Sequence, residues 1–160
     1  MSDTQVFRIW IRSTPQQVWD AITDAHFNDR YGYGTTAEYD LRPGGKYLAP
    51  STAEMIGFGA PPVMCEGEVL ESDPPHRLVQ TWHALFNPET TAEPAQRLTW
   101  ELHEEKPGVT TLTLTHELAD APATAVFISG EISGDGGGGW PMILSDLKSF
   151  LELGSSILVP

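Results

Sequence analysis

The 160-residue sequence reads as an α+β protein, an antiparallel sheet covered by one long C-terminal helix. Three observations predict this. Apolar and polar residues alternate with period two in short segments between residues 37 and 117, the mark of half-buried strands. Short turns rich in Gly, Pro and Asp join those segments, which suits hairpins rather than crossovers. One helical pattern then follows a glycine run within residues 134–154, GDGGGGWPMILSDLKSFLELG.

The first strand is residues 6–11, with Phe7, Ile9 and Ile11 on one face and Arg8 and Arg12 on the other. Thr14 is a fitting N-cap and Pro15 a fitting first helical residue for a short helix carrying Val18, Trp19 and Ile22. A second helical or turn segment, 24–30, leads to Tyr31-Gly32-Tyr33-Gly34. Residues 38–41 and 46–48 form strands around the turn Arg42-Pro43-Gly44-Gly45. Residues 49–62 lack a period and read as a long rim loop. Strand 63–71 puts Val63, Cys65, Gly67 and Val69 on one face; strand 76–86 does the same with Leu78, Gln80, Trp82, Ala84 and Phe86. A polar loop, 87–94, separates the latter from strand 97–104, where Leu98, Trp100 and Leu102 face inward. Strand 109–118 directs Leu112, Leu114, His116 and Leu118 inward. Residues 123–128 form a short helix or a lid. In the final helix Trp140, Ile143, Leu144, Leu147, Phe150 and Leu151 share the buried face, Asp146, Lys148 and Glu152 take the other side, and Gly154 is the C-cap. A sheet with one apolar face needs a cover, and this helix supplies it.

The length fits one domain, 1–160, with a substantial core. The chain has 9 basic and 22 acidic residues, a net charge of −13. That excludes the electrostatics that nucleic acids and anionic membranes reward. The single cysteine, Cys65, precludes an intrachain disulfide and a cysteine-based zinc site. No signal-peptide pattern opens the sequence and no apolar run is long enough for a bilayer, so the expected location is soluble and cytoplasmic.

In this order a set of motifs resembles the START/birch-pollen-allergen-like superfamily, and within it the family named after the activator of the heat-shock-protein-90 ATPase. The motifs are Thr14-Pro15 through Val18-Trp19-Asp20-Ala21-Ile22-Thr23, the turn Asp40-Leu41-Arg42-Pro43-Gly44-Gly45-Lys46-Tyr47, and Gly67-Glu68-Val69-Leu70-Glu71 running on to Pro74-Pro75-His76-Arg77-Leu78-Val79 and Thr81-Trp82. Leu112-Thr113-Leu114-Thr115-His116-Glu117 and Gly139-Trp140 complete them. The resemblance implies a helix-grip fold, a curved sheet wrapped around the C-terminal helix with a cavity between. Members of the superfamily bind lipids, sterols or plant metabolites, cyclise polyketides, or assist a chaperone, so function lives in the cavity lining. The sequence departs from the pattern at Tyr31 and Tyr33, where a tryptophan-rich stretch is usual, and at 129–138, which is longer and glycine-rich.

The glycine run lacks a Gly-Lys-Ser/Thr motif and reads as a hinge before the helix, not a phosphate loop. No histidines share metal-ligand spacing on one helix. His83 and His103 face outward; His116 is the inward one, a hydrogen-bonded core residue or an acid–base group. An inward Gln80 must be hydrogen-bonded, to the protein or to a ligand. Cys65 is first a small apolar residue, with no base beside it to activate a thiolate. Trp82, Trp100 and Trp140 are core or cavity walls, and Tyr31, Tyr33 and Tyr47 supply hydroxyls at a mouth. Ile143, Leu144 and Leu147 form the roof. The preferred expectation is a cavity that binds a small hydrophobic or amphipathic molecule through these residues, without metal or cofactor. The alternatives are a cyclase, dehydratase or hydrolase using His116, and a co-chaperone-like module. The sequence shows no large exposed apolar stripe for a chaperone partner and leaves a homodimer open.

Overall fold

The computed structural model describes residues 3–132 and 137–160. Seven strands form one antiparallel sheet in the order β1-β7-β6-β5-β4-β3-β2. They are β1 (Thr4–Ile11), β2 (Glu38–Tyr39), β3 (Lys46–Pro50), β4 (Val63–Asp73), β5 (Arg77–Ala84), β6 (Gln96–Lys106) and β7 (Val109–Glu117). After β2 each strand pairs with the next in sequence, as the short connections require; β7 closes back on β1, with Ile9 opposite Leu112. Register shifts between Ala49 and Pro50 and between Val69 and Glu71 bend β3 and β4, which curves the sheet around its apolar face. This is the helix-grip arrangement, with α5 (Gly139–Leu153) in the grip.

Local chemistry sets the helix ends. Thr14 and Gln17 close a reciprocal capping box at the start of α1 (Pro15–Thr23): the Gln17 N–H donates to Thr14 Oγ1 at 3.2 Å, and the Thr14 N–H donates to Gln17 Oε1 at 3.0 Å. Hydrogen-bonded turns then carry the chain through residues 25–33. Gly154 ends α5 in the left-handed region, φ 73°, as the C-cap role demands. Gly139 opens α5 at φ 56°, and a Cβ there would lie 2.4 Å from the Ile128 carbonyl oxygen. Only glycine allows α4 (Pro122–Ile128) and α5 to meet so closely.

The structure corrects three local expectations. The rim segment 49–62 is not a loop throughout: Ala49 and Pro50 belong to β3, and Thr52 caps the short helix α2 (Ala53–Gly57) by accepting from the Met55 N–H. The loop 87–94 holds a helical turn, α3 (Pro88–Thr91), capped by Asn87. Asp146 does not lie on the solvent side of α5. It is fully buried, accepting from the N–H groups of Gly32 (2.8 Å) and Ile157 (2.5 Å) and from the Ser156 hydroxyl (2.6 Å). The C-terminal tail folds back and covers that face, which periodicity within the helix does not reveal. Burial raises the Asp146 pKa, but the bonds from Ser156, Ile157, Gly32 and Leu158 outweigh it and hold the carboxyl below its ordinary value.

Among the described residues no helix is long and apolar enough to cross a membrane. The hinge expected of the glycine run falls partly on residues 133–136, outside the described residues. Its described end is packed: a Cβ on Gly138 would lie 2.4 Å from Met142 Cβ, and one on Gly137 would lie 2.3 Å from the Ile132 carbonyl oxygen.

Candidate functional site

Strand alternation sends Tyr47 and Ala49 of β3, Cys65 of β4, Trp82 of β5 and Trp100 of β6 to one side of the sheet. Trp140 and Ile143 of α5 and Phe127 and Ile128 of α4 face them from above. The segment between α1 and β2 contributes Tyr31, Tyr33, Thr35 and Ala37, and β2 adds Tyr39. Together they surround a cavity of about 250 Å³. Its walls are overwhelmingly apolar, and among the described residues no Asp, Glu, Lys, Arg or His lines it. Among the described residues no three His, Cys, Asp or Glu side chains gather closely enough to hold a metal ion.

The walls are aromatic pairs. Trp140 lies 5.7 Å from Trp82 and 5.6 Å from Trp100, the latter edge-on; Tyr39 and Tyr47 pack at 4.8 Å, and Phe86 and Phe127 at 4.6 Å. Such contacts favour tilted and edge arrangements and fix ring orientation.

A second layer of polar residues holds these rings. Gln80, fully buried behind the wall, accepts from the Tyr39 hydroxyl (2.7 Å) and from Trp100 Nε1–H (3.3 Å). His116 Nδ1 accepts from Trp140 Nε1–H at 3.1 Å, so the ring proton sits on Nε2, 3.3 Å from Gln96 Oε1. Burial holds the His116 pKa down to about 4, so the ring is neutral at pH 7. The Trp82 indole gives its hydrogen bond to Tyr47. Burial raises the Tyr47 and Tyr39 phenols well above their ordinary value, and does the same for the Cys65 thiol. These groups are protonated and uncharged at neutral pH.

The structure thus brings Tyr31, Tyr33, Tyr47, Cys65, Trp82, Trp100, Trp140 and Ile143 together around one space. Four other expected site residues lie elsewhere. Gln80 and His116 are on the inward faces of their strands but behind the aromatic wall, engaged with it. His116 has both ring nitrogens in hydrogen bonds and is not among the described lining residues, and its contact with Trp140 holds that ring in place. Leu144 and Leu147 are fully buried in the core below the roof, because a helical turn presents only part of its apolar stripe to the cavity. Tyr31 is not at a mouth: its buried hydroxyl donates to the Ala21 carbonyl at 2.8 Å. The Tyr47 ring is buried too, and of the three only Tyr33 is half-exposed.

Sequence reasoning missed Tyr39, Met55, Phe127 and Ile128. Tyr39 was legible, since alternation from Ala37 puts it inward. Met55 and Phe127 were not, because each depends on a short helix fixed from outside. For α4 that support is Glu93, whose carboxylate accepts from the N–H groups of Ala123 (2.6 Å) and Thr124 (3.0 Å) and the Thr124 hydroxyl (2.6 Å). A carboxylate at a helix N-terminus meets unpaired N–H groups there.

The family described as Activator of Hsp90 ATPase homolog 1-like protein matches residues 12–152, from the end of β1 nearly to the end of α5. The chain belongs to this family. No curated protein matches the sequence. Among solved structures the chain is similar to CalU16 from Micromonospora echinospora, with TM-score 0.68 and 21% identity over 96% of this chain and 77% of that one. It is similar to PFC0360w, an HSP90 activator from Plasmodium falciparum, with TM-score 0.55 and 27% identity over 72% of each chain. DynU16, from the dynemicin biosynthetic locus, gives TM-score 0.67 and 19% identity over 98% of this chain and 49% of that one, so here the chain spans about half the relative's length. These likenesses establish the fold shared by the family.

Proposed function

We propose that this member of the family binds a small hydrophobic or amphipathic molecule in the cavity between the sheet and α5. The observation that carries this reading is the cavity itself, about 250 Å³ of apolar space walled by Trp82, Trp100, Trp140 and paired tyrosines. An interior normally closes to crystal-like packing, and unfilled space forfeits dispersion contacts. Here Gln80 and His116 hold the rings apart from the outer side of the wall. On the scale where an apolar cavity of about 150 Å³ takes benzene, this one takes a bicyclic molecule of about ten to fourteen heavy atoms.

The test is titration with 1-aminonaphthalene and with tetralin, followed by tryptophan fluorescence and melting temperature. Three tryptophans line the site, so occupancy quenches their emission or shifts it. A ligand at about 100 times its Kd adds about 2.7 kcal/mol, which raises the melting temperature of a chain this size by roughly 5–10 °C. Unchanged emission and melting with both probes at saturation overturn the reading.

A further inference from the structure

The hydrogen-bond ledger of the cavity wall points to the chemistry of its occupant, and this rests on the binding reading above. Nearly every polar group on the wall is already committed. Trp100 and Trp140 give their N–H groups to Gln80 and His116, and Trp82 gives its own to Tyr47. The Asn28 amide donates to the carbonyls of Ile22 (3.2 Å) and Ala37 (2.6 Å) and accepts from the Ala37 N–H (2.9 Å). The hydroxyls of Tyr31 and Tyr39 donate to Ala21 and Gln80.

Among what is left over, hydroxyl protons stand out. Tyr47 is 7% exposed, and its hydroxyl proton has no acceptor among the described residues. Nearer the rim, Tyr33 Oη accepts from the Gly138 N–H at 3.2 Å, which leaves its own proton free to donate. The Thr35 hydroxyl and the Cys65 S–H are the remaining donors, the latter weak. Donors without acceptors call for an acceptor on the ligand, since a buried O–H left unpaired is destabilising. A charged ligand group is disfavoured, because among the described residues no Asp, Glu, Lys, Arg or His lines the wall to compensate it. A carboxylate is disfavoured further by the chain's net charge of −13.

We propose that the cavity selects neutral ring compounds carrying a carbonyl oxygen, such as cyclic ketones or lactones, and that the Tyr47 hydroxyl donates to that oxygen while the tryptophan faces hold the ring.

The test compares three probes of one skeleton by calorimetric titration: tetralin, 1-tetralone and tetralin-1-carboxylate. The expected order is 1-tetralone about tenfold tighter than tetralin, with the carboxylate weakest. Tyr47→Phe brings the ketone-to-hydrocarbon ratio towards one, and the ratio is read against tetralin binding to the same variant. The infrared carbonyl band of bound 1-tetralone, read on the unmodified protein, lies below its position in alkane solvent, which reports the hydrogen bond even if the variant does not fold. Equal binding of tetralin and 1-tetralone, an unshifted carbonyl band, a ratio that survives Tyr47→Phe, or a preference for the carboxylate each overturn this proposal while leaving cavity binding intact. If none of the three binds, both readings fall.

Discussion

His116 makes the fold acid-sensitive in a defined window. Its folded pKa is about 4 against an ordinary value of 6.5, because burial disfavours the imidazolium. In the unfolded chain the ring takes up a proton as soon as pH drops below about 6.5, whereas the folded ring does not. The unfolded state therefore binds more protons between these values, and stability falls as pH falls from about 6.5 to about 4. Above that window the contribution is fully present, and below it the loss is complete. Each pH unit inside it is worth about 1.4 kcal/mol, so the full loss is about 3 kcal/mol. The assay is urea denaturation at pH 7.5, 6, 5 and 4.5 for the native chain and for His116→Gln. Glutamine offers an acceptor to Trp140 and a donor to Gln96 but does not titrate, and the other histidines are common to both proteins. Between pH 7.5 and 4.5 the native chain should lose about 2–3 kcal/mol more than the variant. Parallel pH curves for the two would refute the assignment of a neutral, wall-holding His116.

Asp146→Ala strips an acceptor from Gly32, Ser156 and Ile157 and should cost about 3–5 kcal/mol at pH 7 by denaturant unfolding. Since the folded carboxyl titrates below its ordinary value, the gap between native chain and variant should persist above about pH 4 and narrow as pH falls through the lower folded pKa. Leu144→Ala, in the core, should cost about 2–5 kcal/mol and leave ligand affinity unchanged, while Ile143→Ala, on the cavity wall, should cost less and admit bulkier probes, both read by melting and titration. Gly139→Ala forces a Cβ against the Ile128 carbonyl and into a left-handed backbone, and should lower stability by about 2 kcal/mol or more in urea. Glu93→Gln should raise the hydrogen-exchange rates of the Ala123 and Thr124 amides without changing those of β6 and β7.

The sheet was legible because its signals are local. Alternation in residues 97–104 and 109–118 assigns inward faces that hold in β6 and β7, and Thr14 with Pro15 marks the start of α1 to the residue. The same parity put Cys65, Trp82 and Trp100 on the cavity side, whereas Tyr47, expected at a mouth, is instead a buried part of the wall. What escaped is set by contacts between distant segments. Asp146 occupies a polar position of an amphipathic helix, and only the returning tail at Ser156 and Ile157 buries it. Gln80 and His116 satisfied every local criterion for a ligand-facing polar group. That they stand behind Trp100 and Trp140, not beside them, depends on how far the large rings reach across the sheet, and no spacing rule encodes that.

This arrangement bears on how an unfilled space survives in the folded protein. Large apolar rings around a void would normally rotate into it, because dispersion favours contact over vacancy. Each of the three tryptophans instead has its N–H tied to a partner, Trp100 to Gln80, Trp140 to His116 and Trp82 to Tyr47. Turning a ring inward would break that bond and leave a buried amide, imidazole or phenol acceptor unsatisfied, a penalty of about 1–3 kcal/mol for each. His116, a core residue or acid–base candidate in the sequence, and Gln80, a hydrogen-bonded core or ligand-orienting one, thus serve in the fold as struts for Trp140 and Trp100. If the cavity binds a small molecule as proposed, polar residues behind the rings define the shape it must fit, and the Tyr47 hydroxyl left over from that bracing is the group able to choose among candidates.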